Sequence, residues 1–267
     1  AETFRAMAAS IDAASHHVNA LYFQTSWDEY TAPFYEALER AVARGVTVRL
    51  LVDHHGMRTI PGHRNFRRRL NAMGIEWHEM LPFAPLRGQI RRPDLRNHRK
   101  ILVIDGCEAY IGSHNLVAPD YDTPSYAKAG MLYDDTSVSV TGPIVSQIQA
   151  VFAVDWYYAC KEVLTPADLT PPIAPIAPTD EQRENPQASA MQIIPSGPAF
   201  KGTPNLRAFV HMISSARTHV TITSPYFIPD EALITALTNA TLSGVEVELF
   251  VSEQFDQFLV GHAQRSY

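Results

Sequence analysis

Apolar positions along this chain switch between two periods. Phe4, Met7, Ile11 and Ala14 recur at helical spacing, and Val18 to Phe23 then reads as a strand. Ala32 to Arg44 is helical again, with Phe34, Leu38, Ala41 and Val42 as its core stripe. Gly45 stops that helix, and Val46 to Val52 is a run of the kind found in buried strands. Asn65 to Met73 predicts a further helix, followed by Gly74 and a strand over Ile75 to Trp77. Ile101 to Ile104 is apolar, closes on the turn pair Asp105-Gly106, and is followed by a partner strand at Ala109 to Ile111. Residues 138 to 140 finish a strand, Gly142-Pro143 breaks it, and Ile144 to Ala159 forms a long helix. Trp156, Tyr157 and Tyr158 on that helix read as core and interface aromatics. Strands alternating with helices predict an α/β fold whose mainly parallel sheet is covered on both faces.

The pattern repeats. Ala14 to Val18 matches Ala216 to Val220, and Arg44 to Val52 matches Ser243 to Val251. Each copy reads helix, strand, loop, helix, glycine, strand, the mark of a duplicated half. Between the copies, Pro166, Pro171, Pro172, Pro175, Pro178 and Pro186 forbid regular structure and predict a linker. The expected organisation is a first half over 1–164, a linker over 165–190 and the start of a second half over 191–267. In the second half, Phe209, Ile213 and Ala216 share a helix face, and Val220 to Thr223 is a strand.

The chain has 267 residues and 46% apolar content, ordinary for a globular protein with a sizeable core. Its net charge of −6 argues against a nonspecific nucleic-acid binder, so no nucleic-acid partner is expected. Arginines nevertheless crowd residues 58 to 100. Arg67 to Arg69 read as a solvated helix face, and Arg87 to Arg99 as either such a face or a positive surface for anionic headgroups. Two cysteines, Cys107 and Cys160, make no disulfide framework. No run of 18 apolar residues is present, and no stretch of the given sequence is expected to act as a signal peptide.

The chemistry concentrates in Asn97-His98-Arg99-Lys100, Asp105 and Gly112-Ser113-His114-Asn115. Alternate residues of an extended segment face the same way, so His98 and Lys100 project together, as do Ser113 and Asn115. A phosphodiester needs such a set. Imidazole is a competent nucleophile at neutral pH, and an ammonium neutralises the non-bridging oxygens. The Ser hydroxyl and Asn amide add neutral donors as charge develops. Asp105, at the far end of the strand, is expected to support or orient without touching substrate. Cationic side chains do the neutralising, so the scheme calls for no metal and no cofactor.

The full pattern H-x-K-x4-D followed by G-S-x-N resembles that of the phospholipase D superfamily, and the surrounding text resembles its bacterial cardiolipin synthases. The matching stretches are Arg91 to Lys100, Thr141-Gly142-Pro143, Asp155-Trp156, Ser196-Gly197-Pro198, Ser224 to Pro229 and Leu259 to Ala263. The resemblance implies a duplicated α-β-α sandwich, its second repeat incomplete, and phosphatidyl transfer through a phosphatidyl-histidine, with catalytic residues His98, Lys100, Asp105, Ser113 and Asn115. Cardiolipin would form from phosphatidylglycerol, an anionic glycerophospholipid, bound with the help of Arg96, Tyr226 and Phe227. It also implies a membrane surface as partner, a possible homodimer, and a place at the bacterial inner membrane with the catalytic region cytoplasmic. A hydrolase, or less readily a nuclease, would use the same intermediate. The family carries two H-x-K motifs, and this sequence has one. The offset of 199 between Gly45 and Gly244 would put the second histidine near 297, past Tyr267. The chain therefore reads as part of a longer polypeptide, with little activity expected from it alone.

The other histidines are less informative. Asp53-His54-His55 follows a strand, where α/β proteins place ligands, but adjacent residues point oppositely and poorly suit one metal. His16-His17 is expected at a helix end, capping it or facing solvent. His114 should face away from its neighbours Ser113 and Asn115. Ser224-Pro225-Tyr226-Phe227-Ile228-Pro229 reads equally as a core plug or as a wall of a lipid pocket.

Overall fold

The computed structural model describes residues 2–83, 95–121, 128, 130, 132–169, 189–252 and 262–266. The matched stretch 91–94, Arg87, the matched residues 259–261 and the linker prolines after Pro166 lie outside these. The chain divides into two units, residues 1–193 with 197–199, and 194–196 with 200–267.

In the first unit, α1 (Glu2–Ala13) buries Phe4, Met7, Ala8 and Ile11, the i, i+3, i+4, i+7 stripe of an amphipathic helix. β1 (His17–Tyr22) follows, then α2 (Ala32–Ala43), which carries proline in its first turn and buries Phe34, Tyr35, Leu38 and Ala41. Gly45, at φ +85°, ends α2: its N–H reaches Val42 O at 2.9 Å and Val46 N reaches Ala41 O at 3.1 Å. This left-handed stop is the conformation that glycine adopts without a Cβ penalty. It feeds β2 (Thr47–Asp53), which is followed by a short helix α3 (His54–Thr59), by α4 (His63–Ala72) and by β3 (Glu76–Met80). β4 (Ile101–Ile104), β5 (Glu108–Gly112) and β6 (Ser137–Thr141) complete the sheet, and α5 (Ile144–Cys160) returns across it. A single turn of helix, α6 (Pro166–Leu169), ends the described part before the linker.

The strand order is β3-β2-β1-β4-β5-β6. β3, β2 and β1 pair in parallel, whereas β1–β4, β4–β5 and β5–β6 are antiparallel. The sheet is thus mixed, with two parallel and three antiparallel pairings, not mainly parallel. Helical crossovers produce the parallel half, and the hairpin at Asp105-Gly106 imposes the other direction. Both of those residues have positive φ, +50° and +64°, and Cys107 N donates to Ile104 O at 3.0 Å, as a tight hairpin turn requires.

The two faces of the sheet are covered differently. Val18, Ala20, Tyr22, Val48, Leu50, Val52, Leu102 and Ile104 pack with α1 and α2 in one apolar core. Fully buried members such as Ile11, Phe34 and Leu38 each contribute about 1.5–3 kcal/mol. α5 lies over the other face, where the sheet presents polar groups. There His17 is 0% exposed and its Nε2 lies 2.9 Å from Gln149 Oε1. It is the first residue of β1 and buried, contrary to its expected place at a helix end.

The second unit repeats the opening of the first. α7 (Pro204–Ser215), β7 (His219–Ser224), α8 (Glu231–Leu242) and β8 (Glu246–Val251) follow in the order of α1, β1, α2 and β2. β7 and β8 pair in parallel over six residues, His219 against Glu246, as His17 stands against Thr47. Gly244 has φ +85°, and Gly244 N to Thr241 O and Val245 N to Ala240 O reproduce the stop at Gly45. Ile213, Ala236, Ala240 and Val245 form the small core of this unit.

Candidate active site

The site forms at one edge of the first unit, where β1 and β2 end and the segment leading into β4 begins. Because β4 runs antiparallel to β1, with Leu21 opposite Ile101, His98 arrives beside Phe23, the residue after β1. The two rings stack, centroids 4.0 Å apart and 18° from parallel. His98 is exposed on its other side. Lys100 shares the Phe23 platform, its Nζ 5.6 Å from the ring centroid, and donates to the carbonyl oxygen of His98 at 2.6 Å. Imidazole and ammonium are therefore held side by side at the surface. Arg99, between them, turns the opposite way and donates to both carboxylate oxygens of Asp155 on α5, at 3.0 and 2.7 Å. That alternation fixes the register of the segment, since a slip of one residue would bury His98 and expose Arg99.

Phe23 is held from behind. A Cβ added to Gly56 of α3 would lie 2.1 Å from Phe23 O, so only glycine permits this close approach. Gly56→Ala is expected to destabilise the first unit by about 1–3 kcal/mol through forced backbone displacement, measured by chemical denaturation. An unchanged midpoint would show that α3 yields freely. The side chain of Asp53 caps α3 by accepting from His55 N at 2.9 Å and Gly56 N at 3.1 Å. His54 Nδ1 pairs with Glu79 Oε2, and Glu79 also meets Arg67 at 3.2 Å.

Local charges and burial set the protonation states. Loss of hydration holds the His98 imidazole below its ordinary pKa, and the charges of Lys100 and Arg96 push the same way against the opposing pull of Asp53. At neutral pH the ring is accordingly uncharged and nucleophilic. Lys100 is drawn down to about 8 by desolvation, with Asp135 opposing. At pH 7 it still carries its proton.

Asp135 is the acidic group that the linear pattern did not single out. Its Oδ1 accepts from Ser113 Oγ at 2.7 Å, and its Oδ2 accepts from Tyr121 Oη at 3.2 Å. Gly112 brings it there, because β5 and the entry to β6 approach so closely that a Cβ would sit 2.1 Å from Thr136 O. The pair Asp134-Asp135 just before β6 was its one trace in the sequence.

The expected site residues divide by position. His98 and Lys100 are together, and Ser113 is bound to Asp135. Asn115 is buried, and its amide is occupied, accepting from Gln24 N at 3.1 Å and donating to Tyr121 Oη at 3.1 Å. It orders the loop after β1; its donor is not turned to an incoming oxygen. Asp105 stands at the other end of β4, roughly 16 Å along the strand from Lys100. Its carboxylate accepts from Ser15 N, His16 N and His17 N at 2.8, 2.9 and 2.8 Å. Burial pushes that carboxyl up, but these donors outweigh it and hold the pKa low. The motif aspartate therefore anchors the entry to β1 and does not serve the His98–Lys100 pair. Arg96 is corrected too. Its side chain is 5% exposed and its guanidinium donates to Leu81 O at 2.9 Å and lies 3.6 Å from Asp53. It braces the approach to His98 from within. His114 turns away from the site to pack on Phe4, centroids 4.8 Å apart.

Tyr226 and Phe227 belong to the second unit. They line an apolar groove of about 620 Å³ with α7 and β7, and Phe227 N donates to Gln264 Oε1 at 2.7 Å. Among the described residues no group of three or more His, Cys, Asp or Glu is clustered as a metal site requires.

Comparison with known proteins adds the following. The family profile described as "Cardiolipin synthase, PLD-like domain" matches residues 7–156 and 209–267. The chain is 34% identical over 269 residues to a cardiolipin synthase of Geobacillus kaustophilus, covering 100% of this chain and 50% of that protein. It is 35% identical over 232 residues to cardiolipin synthase A of Proteus mirabilis, covering 87% of this chain and 46% of that one. The chain thus spans about half the length of the curated relatives it matches. Among solved structures, a phosphatidylserine synthase of Haemophilus influenzae shares the fold at a TM-score of 0.61 and 13% identity, over 98% of this chain and 64% of that one.

Proposed function

The chain belongs to the cardiolipin synthase, phospholipase D-like domain family, and from that membership we propose that it supplies the nucleophilic half of a phosphatidyltransferase. The reaction joins two phosphatidylglycerol molecules into cardiolipin and releases glycerol. The observation that carries this reading is the uncharged, solvent-facing His98 stacked on Phe23 with the Lys100 ammonium beside it.

In the first step a ring nitrogen of His98 bonds to phosphorus, the ester bond to glycerol breaks, and the glycerol oxygen takes a proton from a general acid. In the second, a hydroxyl of another phosphatidylglycerol returns a proton to that group, its oxygen bonds to phosphorus, and the phosphorus–nitrogen bond breaks. Reversibility requires one group to serve both turns. The proposed group is a histidine of a second H-x-K motif; the repeated α7-β7-α8-β8 half supports this. Lys100 neutralises the non-bridging oxygens, while the Ser113 hydroxyl proton is committed to Asp135. Since the substrate is a bilayer lipid, the reaction takes place at an anionic membrane surface. Among the described residues no helix is long and apolar enough to cross a membrane.

The test is product analysis by lipid mass spectrometry, using the native polypeptide that carries this sequence and phosphatidylglycerol vesicles. Cardiolipin with equimolar glycerol is expected, and phosphatidic acid as sole product would replace transfer by hydrolysis. The pH–rate profile should be bell-shaped. Its acid limb lies below pH 6.5, where His98 gains a proton. Its alkaline limb lies near pH 8, where Lys100 loses one. In Lys100→Arg, whose cation does not titrate there, the alkaline limb should vanish at whatever rate remains. Persistence of that limb would assign it to another group.

A further inference from the structure

Among the described residues no hydrogen bond holds either ring nitrogen of His98; only its backbone oxygen is engaged, by Lys100 Nζ. What orders the ring is its stack on Phe23. We propose that Phe23 is the positioning residue of the reaction centre, setting the plane in which the His98 imidazole approaches phosphorus. The proposal rests on the reading of His98 as nucleophile.

The lone pair that would form the nitrogen–phosphorus bond lies in the plane of the imidazole, so the plane fixes the direction of attack. The torsion that turns a histidine ring is broad, and an exposed imidazole sweeps it freely. A nucleophile has to stand within about 3–3.5 Å of its target and in line with it, and a misplacement of about 1 Å costs on the order of a hundredfold. With the two rings 4.0 Å apart and 18° from parallel, the lone pairs of His98 are directed along the face of the phenyl ring. Stacking of this kind favours one orientation over others by roughly two- to twelvefold.

Phe23 is itself fixed, because neighbouring segments clamp the backbone on both sides of it. Phe23 O lies against Gly56 of α3, where an added Cβ would be 2.1 Å away. Gln24 N donates to Asn115 Oδ1 at 3.1 Å, and Leu116 N donates to Gln24 O at 3.1 Å. Asn115 and Leu116 are buried, so water does not compete for that clamp. Asn115 thus acts on His98 through the platform. Lys100 Nζ, 5.6 Å from the same centroid, is within cation–π range of it. One phenyl ring therefore aligns both members of the pair, and it has no donor or acceptor of its own to engage the imidazole nitrogens.

The experiment uses the native polypeptide that carries this sequence, with its histidines isotopically labelled. Phe23→Leu keeps the apolar bulk and removes the flat face; Phe23→Tyr keeps the face. Turnover is measured on phosphatidylglycerol vesicles and on bis(p-nitrophenyl) phosphate, a phosphodiester with no lipid. Phe23→Leu should lower kcat by about fivefold or more with KM within about twofold, because orientation matters most in the transition state. Phe23→Tyr should recover most of that loss. By nuclear magnetic resonance, the His98 Hε1 signal is assigned by its absence from His98→Asn. The phenyl ring current holds it upfield in the parent. It should move downfield in Phe23→Leu and return in Phe23→Tyr. A residue that merely supported the fold would lower the unfolding temperature without moving that signal or separating kcat from KM. Should Phe23→Leu fail to fold, Phe23→Met, which also lacks a flat face, takes its place. If the parent turns over only the lipid-free diester, phosphatidyl transfer fails as the activity, and the role of Phe23 is decided on that substrate. A parental kcat in the folded leucine or methionine variant, or a His98 signal that stays in place, overturns the proposal. So does a tyrosine variant that keeps the parental signal but is as slow as the leucine one, and so does turnover of neither probe by the parent.

Discussion

His98→Asn in the native polypeptide should lower phosphatidyl transfer by at least about a thousandfold, because Asn keeps a polar group of similar reach but has no nitrogen able to bond to phosphorus. The residual rate would come from Lys100, which still stabilises charge on the phosphate oxygens. His98 is exposed and makes its main contact with Phe23, so the fold should be little affected. The measurement pairs steady-state rates with thermal unfolding of the same sample. A rate near the parent's, in a folded variant, would remove His98 from the reaction. Trapping a radiolabelled phosphatidyl group on the parent by acid quench, and not on the variant, would add direct support.

The largest stability effect should come from Arg99→Leu. Arg99 is the sole ion-pair partner seen for Asp155 among the described residues, and Asp155 is 0% exposed. Removing one member of such a pair leaves a buried charge uncompensated and costs about 3–5 kcal/mol. Desolvation already pushes the Asp155 carboxyl above its ordinary value of 3.8, and Arg99 is the main opposing influence. Without Arg99 the pKa rises further. A raised carboxyl pKa contributes stability below the unfolded value and loses it as pH climbs through the folded value. The penalty should therefore be full at pH 7 and should shrink toward pH 4, where Asp155 takes up a proton. Denaturant melts of the variant at both pH values give the comparison. Arg99→Leu with Asp155→Leu should recover much of the loss, and a loss undiminished in the double variant would mean that packing, not charge, is at issue.

How far the sequence could be read is best seen in particular residues. The helices at α1 and α2 and the strand at β4 were legible because each has a solvent side and a core side, or is buried throughout. Apolar spacing then reports geometry directly, as Phe4, Met7 and Ile11 show. The glycine stops at Gly45 and Gly244 were legible for a similar reason, since their φ is a local demand. α3 escaped notice because His54 to Thr59 has no apolar period; its cap on Asp53 and the close approach of Gly56 to Phe23 hold it. Arg96 and Asp105 illustrate a different limit. Each residue type suits catalysis, but partners distant in sequence, Leu81 and Asp53 in one case and Ser15 to His17 in the other, commit them to the scaffold.

By itself the sequence determined that His98 and Lys100 share a face, because this follows from the two-residue period of extended chain. It determined the duplicated helix–strand order for the same local reason. Tertiary structure alone decided what surrounds that pair. The antiparallel pairing of β1 with β4 brought Phe23 under His98, and the close approach of Gly112 to Thr136 delivered Asp135 to Ser113. Those contacts join segments far apart in the chain, whose register depends on packing across the whole sheet, and no local spacing encodes it.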